Sequence, residues 1–254
     1  MSRTRRGPAP WRAARPGRAA LAARALGCLA LVAPVAGLLG ACGRGARDEV
    51  AVYGDSLTVE AATYLEDLAG RRGLDLTGKW YFGTALCDWV EDALGEIGRD
   101  PVAVVLAFAG NQVTDCVGGR SGAALGDLYE ADARRVAAAG HAEGVPVVLV
   151  GPPDMADPLY RENAAMLRER FERVAAELPG VTYVDARPLL SPGGYAERLP
   201  CREDLGETPE RGCAGGTIAV RHPDGVHWDA PGDDGFSAGA NRWAHVLLDG
   251  VRTR

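Results

Sequence analysis

The sequence predicts a three-layer α/β/α domain around a central five-stranded parallel sheet, and three observations carry that prediction. Short β-rich runs alternate with helical stretches from residue 50 to the C-terminus. The run Val102-Ala103-Val104-Val105-Leu106-Ala107-Phe108 is continuously apolar, which suits a strand covered on both faces. Of the 254 residues, 47% are hydrophobic and 24% charged, enough for one large core and incompatible with a disordered or collagen-like chain.

The strands are expected at residues 50–54, 74–82, 102–109, 145–150 and 181–185. Pro101 and Pro146 stand at the entries of the third and fourth, where a strand tolerates proline better than a helix interior does. Between the strands, helices are expected at about 58–72, 88–97, 123–142 and 160–178, with a last one near 237–251. Residues 188–223 interrupt the rhythm. They are rich in Gly and Pro and contain Cys201 and Cys213, so they read as an ordered insertion stapled by its own bridge.

The N-terminal segment has a different character. Seven arginines and no acidic residue occur in residues 1–41, and residues 25–42 are uncharged, the pattern of a basic region followed by an apolar region in an export signal. That apolar run contains Gly27, Pro34, Gly37 and Gly40, which makes it a weak membrane-spanning helix. It ends Leu39-Gly40-Ala41-Cys42, similar to the lipobox of bacterial lipoproteins, so Cys42 is the candidate lipidation site. An ordinary cleaved signal and an uncleaved anchor are the alternatives. The expected organisation is a signal at 1–41, a linker at 42–49 and one domain at 50–254.

Of 28 basic residues in the chain, 21 remain outside the signal against 34 acidic ones. Such an acidic domain lacks the footprint of a nucleic-acid binder. Setting aside Cys28 and Cys42 leaves Cys87, Cys116, Cys201 and Cys213, an even number that suggests two disulfides in an exported domain. Three pairings are open. Cys201 and Cys213 share one loop and are the natural short closure, which leaves Cys87 with Cys116.

Ligands of open parallel sheets bind beyond the carboxyl ends of the strands. There, Gly54-Asp55-Ser56-Leu57 puts Ser56 at a strand-to-helix turn, with its N–H at the positive end of the helix. A serine nucleophile needs a histidine base oriented by an acid. Arg221-His222-Pro223-Asp224-Gly225-Val226-His227 supplies both, with Asp224 and His227 three residues apart. His141 and His245 fall on expected helices, where a packing or surface role suffices. Asn111 and Gly83, after the third and second runs, are candidate donors to an oxyanion together with the N–H of Ser56. Gly78 competes with Gly83.

Gly54-Asp55-Ser56-Leu57, Gly83, Gly110-Asn111 and Asp224-x-x-His227, in this order, resemble the SGNH/GDSL hydrolase superfamily, and the chain looks in particular like its exported actinobacterial members. The resemblance covers about residues 50–250 and implies a flavodoxin-like α/β sandwich. It implies Ser56 as nucleophile, His227 as base and then acid, Asp224 as the orienting acid, and Ser56, Gly83 and Asn111 as the oxyanion hole. Gln112 stands where the family usually has an aspartate, which leaves open what supports Asn111. A Cys87–Cys116 bridge would tie the loop after Gly83 to the loop after Asn111.

The function expected on this basis is an exported serine esterase acting on short acyl esters, acetyl above all, of small molecules or glycans. It is expected to need no metal or other cofactor, to be a monomer, and to meet the membrane only through a lipid on Cys42. Acyl transfer to a sugar hydroxyl or short-chain lipid hydrolysis would use the same site. Two other readings compete: a metal site at His222, Asp224, His227 and Asp229, and a non-catalytic carbohydrate-binding domain stacking sugars on Trp80, Trp89 and Trp228.

Overall fold

Residues 48–253 are described by the structure, a computed structural model. The expected export signal, Cys42 and nearly all of the linker lie outside the described residues. Five parallel strands, β1 (Asp48–Gly54), β2 (Leu74–Trp80), β3 (Ala103–Ala107), β4 (Val147–Gly151) and β5 (Val181–Asp185), form one sheet in the order β2-β1-β3-β4-β5. Parallel neighbours require crossovers, and these are α1 (Ser56–Arg71), α2 (Val90–Ile97), α3 (Gly122–Glu143) and α4 (Pro158–Glu177).

Side chains alternate across the sheet, so each central strand feeds two cores. Val50 and Val52 pack on one face with Leu57, Ala61 and Leu65 of α1, and with Trp243 and Leu247 of the last helix, α6 (Ala238–Leu247). Ala51 and Tyr53 face the other way, onto α2, α3 and α4 through Ile97, Val136 and Phe171. This is the expected three-layer sandwich with a five-stranded parallel sheet.

Several boundaries differ from the sequence expectation. Strand β3 stops at Ala107 rather than residue 109, because the Ala109 N–H turns out of the ladder to the Asp55 carboxylate. Strand β2 stops at Trp80, beyond which Tyr81 and Phe82 point into solvent. Gly78 lies inside β2 with φ +112°, and a Cβ there would sit 1.9 Å from the Val52 carbonyl oxygen. Its glycine thus serves strand pairing and is not at a strand end.

Residues 188–223 are more regular than a loop. They begin in the short helix α5 (Arg187–Leu190) and contain an antiparallel pair, β6 (Arg198–Pro200) with β7 (Thr217–Ala219). The segment has a small core of Leu199, Ile218 and Val220 against Phe236 and Ala238. Cys201 and Cys213 are bonded within it, and Cys87 with Cys116, each pair with Cα atoms 6.0 Å apart. Glu207, fully buried, holds the segment on α6 through a bidentate pair with Arg242, both contacts at 2.7 Å.

Candidate active site

Strand β1 ends at Gly54, and Asp55 caps α1 by accepting from the Leu57 N–H at 3.1 Å. Ser56 is therefore the first residue of the helix, and its N–H, one of the orphan donors of a helix start, has no acceptor among the described residues. Only 8% of Ser56 is exposed, and its Oγ lies 3.1 Å from His227 Nε2. On the far side of the ring, His227 Nδ1 lies 2.7 Å from Asp224 Oδ2.

The loop that carries these two residues is built to hold them. Asp224 Oδ1 accepts from the N–H groups of Val226 and His227, leaving Oδ2 for the imidazole. The His222 N–H donates to the His227 carbonyl, closing the loop on itself. Arg221, buried, donates to the carbonyls of Val226 (2.8 Å) and Asp154 (3.2 Å) and lies over the Trp228 ring. Burial opposes the charge on Asp224, but the bonds from His227 and the two N–H groups outweigh it and hold the carboxyl well below its ordinary range. Burial lowers Arg221 to about 10, which leaves it cationic at neutral pH.

Asn111 is at the expected place after β3, buried, but its amide is committed in the resting chain. Its Nδ2 donates to the Thr84 carbonyl at 3.0 Å and to Asp55 Oδ2 at 3.3 Å. Its Oδ1 accepts from the Tyr160 hydroxyl at 3.1 Å, and its carbonyl from the Tyr129 hydroxyl at 3.0 Å. Support for Asn111 thus comes from two tyrosines and Asp55, and Gln112 makes no side-chain hydrogen bond among the described residues. Gly110, at φ +92°, brings the backbone so close to α4 that a Cβ would lie 2.7 Å from that of Asn163, whose amide caps the Gly110 carbonyl at 2.9 Å.

Gly83 lies in the turn after β2, and its N–H also has no acceptor among the described residues. The turn is tied to the nucleophile strand, since the Tyr81 N–H and the Thr84 hydroxyl both donate to the Gly54 carbonyl at 3.3 Å. The Cys87–Cys116 bridge joins the segments that follow Gly83 and Asn111.

Asp55 carries more of the site than its place in the motif suggested. It is fully buried, and desolvation pushes it up to about 6 despite the Ala109 and Leu57 N–H groups that favour its charge. It connects the Ser56 turn to the Asn111 loop, a contact across 56 residues. Glu60, one turn beyond Ser56, is raised by burial and opposed by the Trp228 N–H that it accepts.

Trp228 and Asp229, which the two other readings draw on, have partners of their own. Trp228 is 3% exposed, donates to the Leu57 carbonyl and packs on Trp243, so it offers no face to a sugar. Trp80 and Trp89 are half-buried against the two cores. Asp229 is turned away from His227 to the Ser237 hydroxyl and the N–H groups of Ala238 and Gly239. Among the described residues no group of three or more His, Cys, Asp or Glu is placed to hold a metal ion.

Residues 49–240 match the model of a family described as Protein of unknown function (DUF459). No curated protein matches the chain. Solved structures with the same fold include a GDSL-like lipase from Bacteroides thetaiotaomicron, with 15% identity and TM-score 0.50, covering 80% of this chain and 87% of that one. A putative acylhydrolase from Bacteroides fragilis shares 17% identity at TM-score 0.51, covering 81% and 88%. An acetylxylan esterase from Geobacillus stearothermophilus shares 16% identity at TM-score 0.50, covering 82% and 97%. The fold is that of the SGNH/GDSL hydrolases.

Proposed function

The chain belongs to the DUF459 family, and we propose that it is an exported serine esterase that hydrolyses short acyl esters, acetyl above all, carried on carbohydrate. The observation that carries the reading is His227 between Ser56 and Asp224, with hydrogen-bond distances of 3.1 and 2.7 Å. That series lets His227 Nε2 take the Ser56 proton as Oγ attacks the ester carbonyl, while Asp224 stabilises the imidazolium. The oxygen that becomes negative is received by the free N–H groups of Ser56 and Gly83. Asn111 joins them by giving up its longer bond, the one to Asp55.

Collapse of the tetrahedral intermediate breaks the bond to the alcohol, which leaves with the proton held by His227. Water, deprotonated by the same imidazole, then attacks the acyl-serine and releases the acid and Ser56. No electron-transfer step and no external co-reactant beyond water are needed. The acetyl and carbohydrate parts of the proposal follow the acetylxylan esterase whose fold the chain shares. Export is proposed from the N-terminal signal pattern, with the lipid on Cys42; Cys42→Ala would then leave the membrane fraction.

The test is hydrolysis of aryl esters from acetyl to dodecanoyl by the chain and by Ser56→Ala. The proposal expects the acetyl ester to be turned over fastest and Ser56→Ala to lose about 10⁴-fold or more. Undiminished activity in folded Ser56→Ala would overturn the mechanism, and a preference for long chains would overturn the acyl assignment.

A further inference from the structure

A groove of about 980 Å³ runs along one face of α1, walled opposite by the segment closed by the Cys201–Cys213 bridge and by residues 229–237. From Glu60 to Arg71 it follows twelve residues of helix, about 16 Å at the α-helical rise. At the Glu60 end it meets His227 and Asp224 on the imidazole side of the triad, while Ser56 itself, Gly83 and Asn111 are not among its walls.

That asymmetry has a chemical meaning. At a tetrahedral carbon the oxyanion and the departing alcohol point in different directions; backbone donors must face the first, and the imidazole must face the second to return its proton. The side of Ser56 served by His227 is therefore the alcohol side. We infer that the groove on α1 is the subsite for the alcohol portion of the ester, and that it takes an uncharged oligosaccharide in preference to an anionic one. This rests on the serine-esterase reading.

The walls fit that ligand. Half-buried Tyr64 offers aromatic surface, and carboxylates and backbone carbonyls offer acceptors to sugar hydroxyls. Five carboxylates besides Asp224 line the groove against two arginines, and both arginines are already paired, Arg71 with Asp67 and Arg211 with Asp234. A uronate chain or a phospholipid headgroup would enter a negative field with no free arginine to meet it. The groove is also long enough for several sugar rings in line, whereas an aryl acetate needs only its entrance.

Thr63 is an exposed position of α1 on the groove wall, so Thr63→Trp narrows the groove without touching the triad or the core. The substrates are O-acetylated xylotetraose, O-acetylated tetragalacturonate and 4-nitrophenyl acetate. The wild-type chain should prefer the neutral tetramer over the uronate by about tenfold or more in kcat/KM. Thr63→Trp should raise KM for the neutral tetramer by about tenfold while the aryl acetate stays within about twofold. Equal effects of Thr63→Trp on tetramer and aryl acetate, or equal use of the two tetramers, would overturn the inference. If the wild-type chain hydrolyses no aryl acetate, the esterase reading itself fails, and calorimetry with the neutral tetramer on Ser56→Ala decides the groove separately. Binding weakened by adding Thr63→Trp retains it as a glycan subsite; no binding, or unchanged binding, removes it.

Discussion

Asn111 must be free enough to donate and held firmly enough to aim, and Tyr160 sets that balance through its hydroxyl on Oδ1. Asn111→Ala should lower kcat by about 10²- to 10³-fold, the usual effect of an oxyanion donor. Tyr160→Phe, which leaves the donor in place but loses its orienting bond, should lower kcat about tenfold with KM little changed; an unchanged kcat would remove Tyr160 from the account. Asp55 yields a prediction on stability. Because its folded carboxyl is pushed up to about 6, the folded chain holds that proton more tightly than the unfolded chain does. Its contribution is full below the ordinary carboxylate value of about 4 and is lost as pH rises through about 6, a change of about 3 kcal/mol. Asp224 runs the other way, contributing at every pH above its ordinary range and failing only in strong acid. The urea midpoint should therefore rise as pH falls from 7.5 to 5, and Asp55→Asn should flatten that rise; parallel profiles would contradict the assignment. The sequence pointed to Ser56, His227, Asp224 and Asn111 because each is a reactive or polar type at a strand end or in a short local pattern. Tyr160 and the linking role of Asp55 left no such mark, since both act across about fifty residues.

At the scale of elements, strand cores were legible from apolar runs, and their ends were not. Strand β3 ends where a backbone N–H meets a side chain far away in sequence, and β2 ends where two aromatics turn to solvent instead of continuing the ladder. The strands β6 and β7 are three residues each, too short for an alternating pattern to register. What fixes their segment to the domain is the Glu207–Arg242 pair, whose side chains are 0% and 3% exposed. Arg242 also donates to the carbonyls of Leu189 and Pro200, so one guanidinium gathers three parts of the segment. Glu207→Gln leaves that cation without its counter-charge and should cost about 3–5 kcal/mol in denaturant unfolding. A loss under about 1 kcal/mol would mean that the Cys201–Cys213 bridge and the small core suffice by themselves.

For the whole molecule, the alternation of strands and helices was enough to predict a parallel sheet, because only crossovers can join parallel neighbours. The order β2-β1-β3-β4-β5 was not written in any local pattern, yet it decides the site. With β1 central, the ends of β1, β2 and β3 lie side by side and bring Ser56, Gly83 and Asn111 to one edge. The loop before α6 then returns over α1 to deliver His227, 171 residues from Ser56 in sequence. The esterase proposed for the chain depends on Ser56 being activated by that histidine. The direct measurement is mass spectrometry of the chain after exposure to a fluorophosphonate, which reacts with activated serines. One adduct per chain, on the peptide bearing Ser56 and absent in His227→Ala, is the predicted result; a folded chain left unlabelled, or labelled at another residue, would contradict it.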